Sequence, residues 1–98
     1  MNYKILVQPE AENDLISAAR WYEKKLKGLG ESYLLSVDST IQAIMQNPEL
    51  FPIIINGIRR ALIRKFPFSV FYLIDKERIN IIAVFHTSRD PNNWEKRI

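Results

Sequence analysis

Residues 59–94 read RRALIRKFPFSVFYLIDKERINIIAVFHTSRDPNNW, and the pattern in this stretch decides the fold. Three apolar runs, 58–65, 68–75 and 79–85, are separated by Phe66-Pro67 and by Asp75-Lys76-Glu77-Arg78. Short apolar runs bounded by polar or proline-containing turns are the signature of strands. Proline has no N–H to give to a ladder, so Phe66-Pro67 marks the first turn. The tetrapeptide 75–78 reads as a polar hairpin loop. In the middle run Phe68, Val70, Tyr72 and Ile74 share one face, and Phe71 and Leu73 lie on the other. The run 79–85 is also apolar on both sides, so these two strands are expected inside the sheet.

Upstream, residues 3–8 alternate, with Tyr3, Ile5 and Val7 on one side, as a short strand does. Pro9 then suits the first position of a helix, and Glu10, Glu12 and Asp14 place negative charge at its positive end. Gln8 is a mediocre cap. This helix is predicted over 9–27, with Ala11, Leu15, Ala18, Tyr22 and Leu26 as its apolar stripe. Trp21 lies beside the stripe and is expected to widen it. Lys24, Lys25 and Lys27 suit the negative helix end, and Gly28 a stop. A second helix is predicted over 31–46, with the stripe Leu34, Val37, Ile41, Ile44 and Met45, and Asn47-Pro48 closes it. So short a link makes the two helices antiparallel neighbours. Residues 49–57 read as a connecting loop, too apolar to be a solvated linker, that folds under the helices or begins the next strand. The fold class is α+β: a short strand, a helical hairpin, then a three-stranded antiparallel meander, with the helices on one face of the sheet.

Ninety-eight residues make one domain, 1–98, and 47% hydrophobic content supplies its core. No cysteine is present, which excludes a disulfide framework and thiol catalysis and suits the cytoplasm. One histidine and no cysteine make a zinc site an unexpected feature, and no metal or cofactor is expected. No apolar run approaches the ~18–20 residues of a membrane span, and the N-terminus turns acidic too early for a signal peptide. At the other end Asp90-Pro91 reads as a cap and first helical position, with Trp94 placed to pack a short terminal segment on the sheet.

Charge is unevenly spread. Residues 1–57 carry five Lys/Arg against seven Asp/Glu, whereas 58–98 carry nine against four, a balance of +5. Such a basic half is the footprint of an acidic partner, nucleic acid or protein, or else a solvated strand surface. If 58–65 is one strand, Arg60 and Arg64 project from one face, and Arg59 and Lys65 from the other. Arginine's planar fork matches phosphate and carboxylate, so Arg60 and Arg64 are candidates to clamp one anion. The competing reading is protection of a sheet edge by charge. His86 ends the last strand on the face of Ile82 and Val84, beside Arg89, and is either an acid–base group or a hydrogen-bonded structural residue. Arg89 is free to face a partner, and Arg97 stands in the tail. No glycine-rich phosphate loop, nucleophile elbow or carboxylate pair is present. A metal-free ribonuclease needs a base, an acid and cations on the phosphate; the cations are here, but one histidine must serve for the rest.

These residues, in this order, resemble the RelE/ParE superfamily of toxins from bacterial type II toxin–antitoxin pairs. The resemblance is carried by Pro9-Glu10-Ala11 with Asp14-Leu15, by Asn47-Pro48, by Ile58-Arg59-Arg60, by Arg64-Lys65-Phe66-Pro67-Phe68 leading to Phe71-Tyr72, and by Ala83-Val84-Phe85-His86 followed by Arg89-Asp90-Pro91 and Trp94. It covers nearly the whole chain. ParE-like members poison DNA gyrase, and RelE-like members cut messenger RNA on the ribosome. The Phe66-Pro67-Phe68 turn, the long helical hairpin and the Arg89-Asp90-Pro91 ending resemble the ParE side. On that side no residue is catalytic, and Arg59, Arg60, Arg64, Lys65, Arg89 and Arg97 are expected to meet the target. On the nuclease side Arg60, Arg64 and Arg89 would hold phosphate and His86 would move a proton, although no tyrosine follows His86 as that side typically has. A third member type has lost toxicity and only regulates its operon. The resemblance also implies a cognate, ParD-like antitoxin whose acidic or amphipathic C-terminal segment folds onto the basic half.

Overall fold

One strand, two helices and four further strands succeed one another in the computed structural model, which describes residues 3–88. They are β1 (Lys4–Val7), α1 (Pro9–Lys25), α2 (Leu29–Gln46), β2 (Ile53–Ile55), β3 (Ile58–Leu62), β4 (Phe68–Asp75) and β5 (Arg78–His86). The sheet runs β1-β5-β4-β3-β2, with β1 parallel to β5 and every other neighbour antiparallel. β5 and β4 are interior, as their two apolar faces required. The α+β class and the helical hairpin are as expected, but the meander has four strands rather than three. The added strand is β2, inside the expected loop 49–57. Asn56 (φ 48°) and Gly57 (φ 79°) both adopt left-handed angles, so Ile55 and Ile58 close a two-residue hairpin. Asn-Gly is the dipeptide that favours such a turn, because its twist matches that of the strands.

Two other turns differ from expectation. β3 ends at Leu62, and Arg64 and Lys65 belong to the β3–β4 loop, where Lys65 takes φ 70°. Asp75 and Arg78 still pair, leaving only Lys76-Glu77 as the β4–β5 turn. α1 ends at Lys25 rather than 27, and Gly28 (φ 89°) supplies the left-handed link. That link is held by Glu23, whose carboxylate accepts the N–H groups of Gly28 and Gly30 at 3.0–3.1 Å. Unpaired N–H groups at the start of α2 thereby gain an anionic acceptor from the preceding helix.

The principal core lies between helices and sheet, around Ala11, Tyr33, Val37, Ile44, Val70, Tyr72, Ile79, Ile81 and Val84. A second cluster, Ile58, Phe71, Ile82, Ala83 and Phe85, is buried on the opposite face. The stripe expected on α1 packs as far as Tyr22, but Leu26 is exposed. On α2 Tyr33, not Leu34, enters the core. A bulge in β5 exchanges the faces: Phe71 pairs with Ala83 and Tyr72 with Ile81, so the register steps over Ile82. Val84 therefore joins Ile79 and Ile81 on the helix side, which simple alternation would forbid. Asp14 of α1 accepts the Val84 N–H at 3.0 Å, tying the helix to the strand just beyond the bulge.

Two buried tyrosines make opposite predictions. The Tyr72 hydroxyl donates to the Pro48 carbonyl at 2.7 Å, whereas that of Tyr33 finds no partner among the described residues. Burial pushes the Tyr72 phenol up to about 12, partly opposed by the nearby Arg59. Burial, with Tyr22 and Asp14 adding, raises Tyr33 as well. Tyr72→Phe is expected to cost about 1–2 kcal/mol, and Tyr33→Phe to be neutral or stabilising by up to about 1 kcal/mol, because only the first removes a made bond. Thermal melts read both, since 1 kcal/mol moves the midpoint by roughly 4–8 °C in a chain this size. The folded phenol binds its proton more tightly than the unfolded one. Its contribution is thus complete below about pH 10 and is lost as pH rises toward about 12.

Candidate functional site

The end of the sheet where the β3–β4 loop meets the last residues of β5 opens beneath the helical hairpin. Phe66 enters here from the loop and Phe68 from the start of β4, and Tyr22 and Tyr33 from the helices. Their rings stack mainly edge-on, with centroids 4.9 Å (Tyr22–Phe66), 5.3 Å (Tyr33–Phe66) and 5.1 Å (Tyr33–Phe68) apart. Edge-to-face contacts of this kind contribute about 0.5–1.5 kcal/mol each beyond burial. The loop is pinned by Ile63 N–H to the Phe68 carbonyl (2.9 Å) and by Thr87 N–H to the Pro67 carbonyl (2.7 Å). Pro67 is thereby fixed against the end of β5.

Two clefts flank this aromatic cluster and share Tyr22 and Pro67 as walls. One, of about 590 Å³, lies along α1 and is lined by Asp14, Ser17, Ala18, Trp21, Tyr22, Pro67, Phe68, Val84 and His86. The other, of about 680 Å³, lies along α2 and is lined by Tyr22, Leu29, Ser32, Leu35, Ser36, Lys65, Phe66 and Pro67. Together they form an apolar floor with a polar margin that includes Lys65, Asp14 and His86. Lys65 stands at one end and the imidazole of His86 at the other. Lys25 Nζ sits 4.9 Å from the centroid of the exposed Trp21 ring. Trp21 thus faces solvent and a cation instead of widening the core stripe.

The expected basic clamp does not assemble. Arg59 is on the helix-facing side of β3, opposite Tyr72, and its Nη1 donates to the carbonyls of Glu49 (2.9 Å) and Phe51 (2.6 Å). It is a structural brace. Arg60 is exposed on the other face, paired with Phe71. Arg64 and Lys65 are exposed in the loop beyond the strand, so strand alternation no longer aligns Arg64 with Arg60. Of the expected site residues, Lys65 and His86 reach the clefts. Arg89 and Arg97, with Asp90-Pro91 and Trp94, lie outside the described residues.

His86 is exposed, pairs with Phe68 and stacks on it edge-on at 5.2 Å. The β5 bulge sets its side: it lines the cleft with Val84, and does not share a face with Ile82 as simple alternation implied. Its Nδ1 lies 3.0 Å from the Ser88 N–H and 2.7 Å from Ser88 Oγ. A backbone N–H can only donate, so Nδ1 is the acceptor and Nε2 carries the proton of the neutral ring. While that bond stands, the outward nitrogen is a donor and not a base. No cluster of three potential metal ligands occurs among the described residues, and none of their helices is long and apolar enough to cross a membrane.

The cleft residues Asp14, Ser17, Ala18 and Tyr22 were legible in the sequence only as parts of a packing helix. The i, i+4 spacing of Asp14 and Ala18 and the neighbouring Ser17 and Trp21 place them near one face. Nothing local shows that this face meets the end of β5.

Against this geometry the chain can be set beside known proteins. The family model described as the ParE toxin of the type II toxin–antitoxin system parDE matches residues 5–91. Two relatives named Toxin ParE2, from the CDC 1551/Oshkosh and ATCC 25618/H37Rv strains of Mycobacterium tuberculosis, are each 30% identical to it over 99 residues, covering 100% of this chain and 94% of theirs. A solved structure titled "Chromosomal ParDE TA system from P. aeruginosa" shares the fold with a TM-score of 0.72 at 17% identity, covering 86% of this chain and 95% of that one. The match spans both helices, all five strands and both clefts, and on that ground the chain belongs to the ParE toxin family of type II toxin–antitoxin systems.

Proposed function

We propose that this chain is a toxin that binds DNA gyrase and is held silent by a cognate, ParD-like antitoxin. The match to the ParE toxin family over residues 5–91 carries the reading. The clefts support it chemically, because an aromatic floor with a polar margin suits the surface of another protein. The balance of +5 over residues 58–98 suits an antitoxin segment that is acidic or amphipathic and folds on binding. The rival activity, cutting messenger RNA on the ribosome, is favoured by one observation: His86 is exposed at the mouth of a cleft. Against it, His86 has its Nδ1 lone pair engaged by Ser88, and Arg60 stands on a different element from Arg64 and Lys65.

Expression without an antitoxin is expected to break DNA and cause filamentation before translation falls. The purified protein is expected to inhibit supercoiling by gyrase in vitro, and His86→Ala to leave toxicity undiminished. Early arrest of translation with cut messages, abolished by His86→Ala or Arg64→Ala, is the result that sinks the reading. A chain harmless on overexpression would mark a member that only regulates its operon.

A further inference from the structure

α1 changes sign along its length. Glu10, Glu12 and Asp14 stand in its first half, and Arg20, Lys24 and Lys25 in its second, followed by Lys27 in the link to α2. Arg64 and Lys65 of the β3–β4 loop lie at the same end, because Lys65 and Leu29 of α2 line one cleft. All six of these cations are exposed, and none is held in an ion pair among the described residues. Set against them are Glu23, Glu31 and, in the α1 cleft, Asp14, which leaves a balance of +3, the net charge of the whole chain. Two of the three carboxylates are already committed to backbone: Asp14 accepts the Val84 N–H, and Glu23 those of Gly28 and Gly30.

Fold stability does not account for this cluster. The helix dipole favours cations in the last turn, which covers Lys24 and Lys25 but not Arg20, Arg64 or Lys65. Arg20 and Lys24 are four residues apart on one side of α1, a like-charge pair that weakens a helix. Lys25 stands over the exposed Trp21 ring at 4.9 Å, so even the aromatic side chain of this face carries a cation.

We propose that this end of the molecule grips the phosphate backbone of duplex DNA, without regard to base sequence. Composition selects the phosphate. Four of the six cations are lysine, a residue depleted from interfaces between proteins but an ordinary partner of DNA phosphates. Their placement agrees. The cations stand on two separate elements, the end of α1 with its link and the β3–β4 loop. A duplex presents a phosphate every ~3.4 Å of axis on each strand, so it meets such a spread without a matched partner for each side chain. Charge of this kind carries no sequence information, and the dissociation constant falls on the order of 1–100 μM at physiological salt. This contact is the chain's own and does not depend on gyrase being the target.

Fluorescence anisotropy of a short labelled duplex, titrated with the full chain at several salt concentrations, tests this without gyrase or antitoxin. Two unrelated duplex sequences are expected to bind alike, and log K to fall by about 4–5 per decade of salt. Arg20→Gln/Lys24→Gln/Lys27→Gln is expected to weaken binding at least ~10-fold and to reduce that slope by about 2–3. Lys27→Glu, which lies outside the helix and leaves α1 intact, is expected to weaken it at least ~3-fold by itself. Lys4→Gln/Lys76→Gln/Arg78→Gln removes the same charge at the other end of the sheet, by the β4–β5 turn. It is expected to bind within about 3-fold of wild type, since charges farther away than the Debye length of ~10 Å are largely screened. Both triple variants are expected to melt near wild type, because every substituted side chain is exposed. A wild type with no salt-dependent binding overturns the proposal. So does an equal loss in the two triple variants, which reduces the effect to net charge. An acidic peptide of equal charge that binds as tightly as the duplex overturns it too and assigns this face to an acidic protein segment.

Discussion

Gly30→Val is expected to lower the melting temperature by roughly 15–30 °C, or to leave no cooperative transition at growth temperature. A Cβ at Gly30 would stand 2.6 Å from the carbonyl oxygen of Ala19 and 3.1 Å from the Glu23 side chain. The first neighbour is backbone of the facing helix, so it cannot swing aside. Relief requires the helices to part, and with them the stacked rings of Tyr22 and Tyr33. Overpacking by a single methyl typically costs about 1–3 kcal/mol, and valine adds two more methyls. The effect reaches function because the two clefts draw walls from both helices, so toxicity should fall with stability. Gly28→Ala is the control. No atom lies within 4 Å of a Cβ there, and its cost is only the left-handed backbone at φ 89°, about 1–2 kcal/mol. Urea denaturation of both variants separates the two causes. Equal losses would show that Gly30 is not the point of closest approach.

Adjacent arginines should behave as different residues. Arg59→Ala is expected to destabilise the fold by about 2–4 kcal/mol, because it removes two charge-assisted hydrogen bonds and strands the carbonyls of Glu49 and Phe51. Arg59→Lys should recover little, since a compact ammonium does not reproduce the guanidinium fork. Arg60→Ala, on the exposed face, should stay within about 0.5 kcal/mol of wild type. Any loss of toxicity in Arg60→Ala is therefore a loss of contact with a partner. In Arg59→Ala it must first be corrected for the unfolded fraction. Melting curves taken beside toxicity assays make the distinction, and an Arg59→Ala variant as stable as wild type would refute the brace.

Much of the fold was legible. Pro9 with Glu10 and Glu12 marked the start of α1, Asn47-Pro48 the end of α2, and two doubly apolar runs the interior strands β4 and β5. These signals are local: a missing N–H, a helix dipole, a side chain on each face. The Asn56-Gly57 hairpin was equally local but lay hidden in a stretch whose five apolar residues gave no alternation. Tyr33 was overlooked because its neighbour Leu34 fits the same helical stripe, and only packing chooses between them.

The candidate site was less legible, for a physical reason. Arg59 and Arg60 differ by one position, and their faces depend on the register of β3 against β4. The side of His86 depends on a one-residue register shift at Ile82, in a strand that reads as continuous. Asp14 finds its partner, the Val84 N–H, 70 residues away.

From its residues alone this chain was bound to form a strand, a helical hairpin and an antiparallel meander, and to concentrate positive charge in its second half. Those properties follow from backbone stereochemistry and side-chain periodicity, which act over a few residues. Which arginine is consumed by carbonyls and which aromatic rings floor a cleft were decided only on folding. Each of these depends on strand register, a bulge and the close approach of two helices, where a shift of one residue or a single methyl changes what meets what.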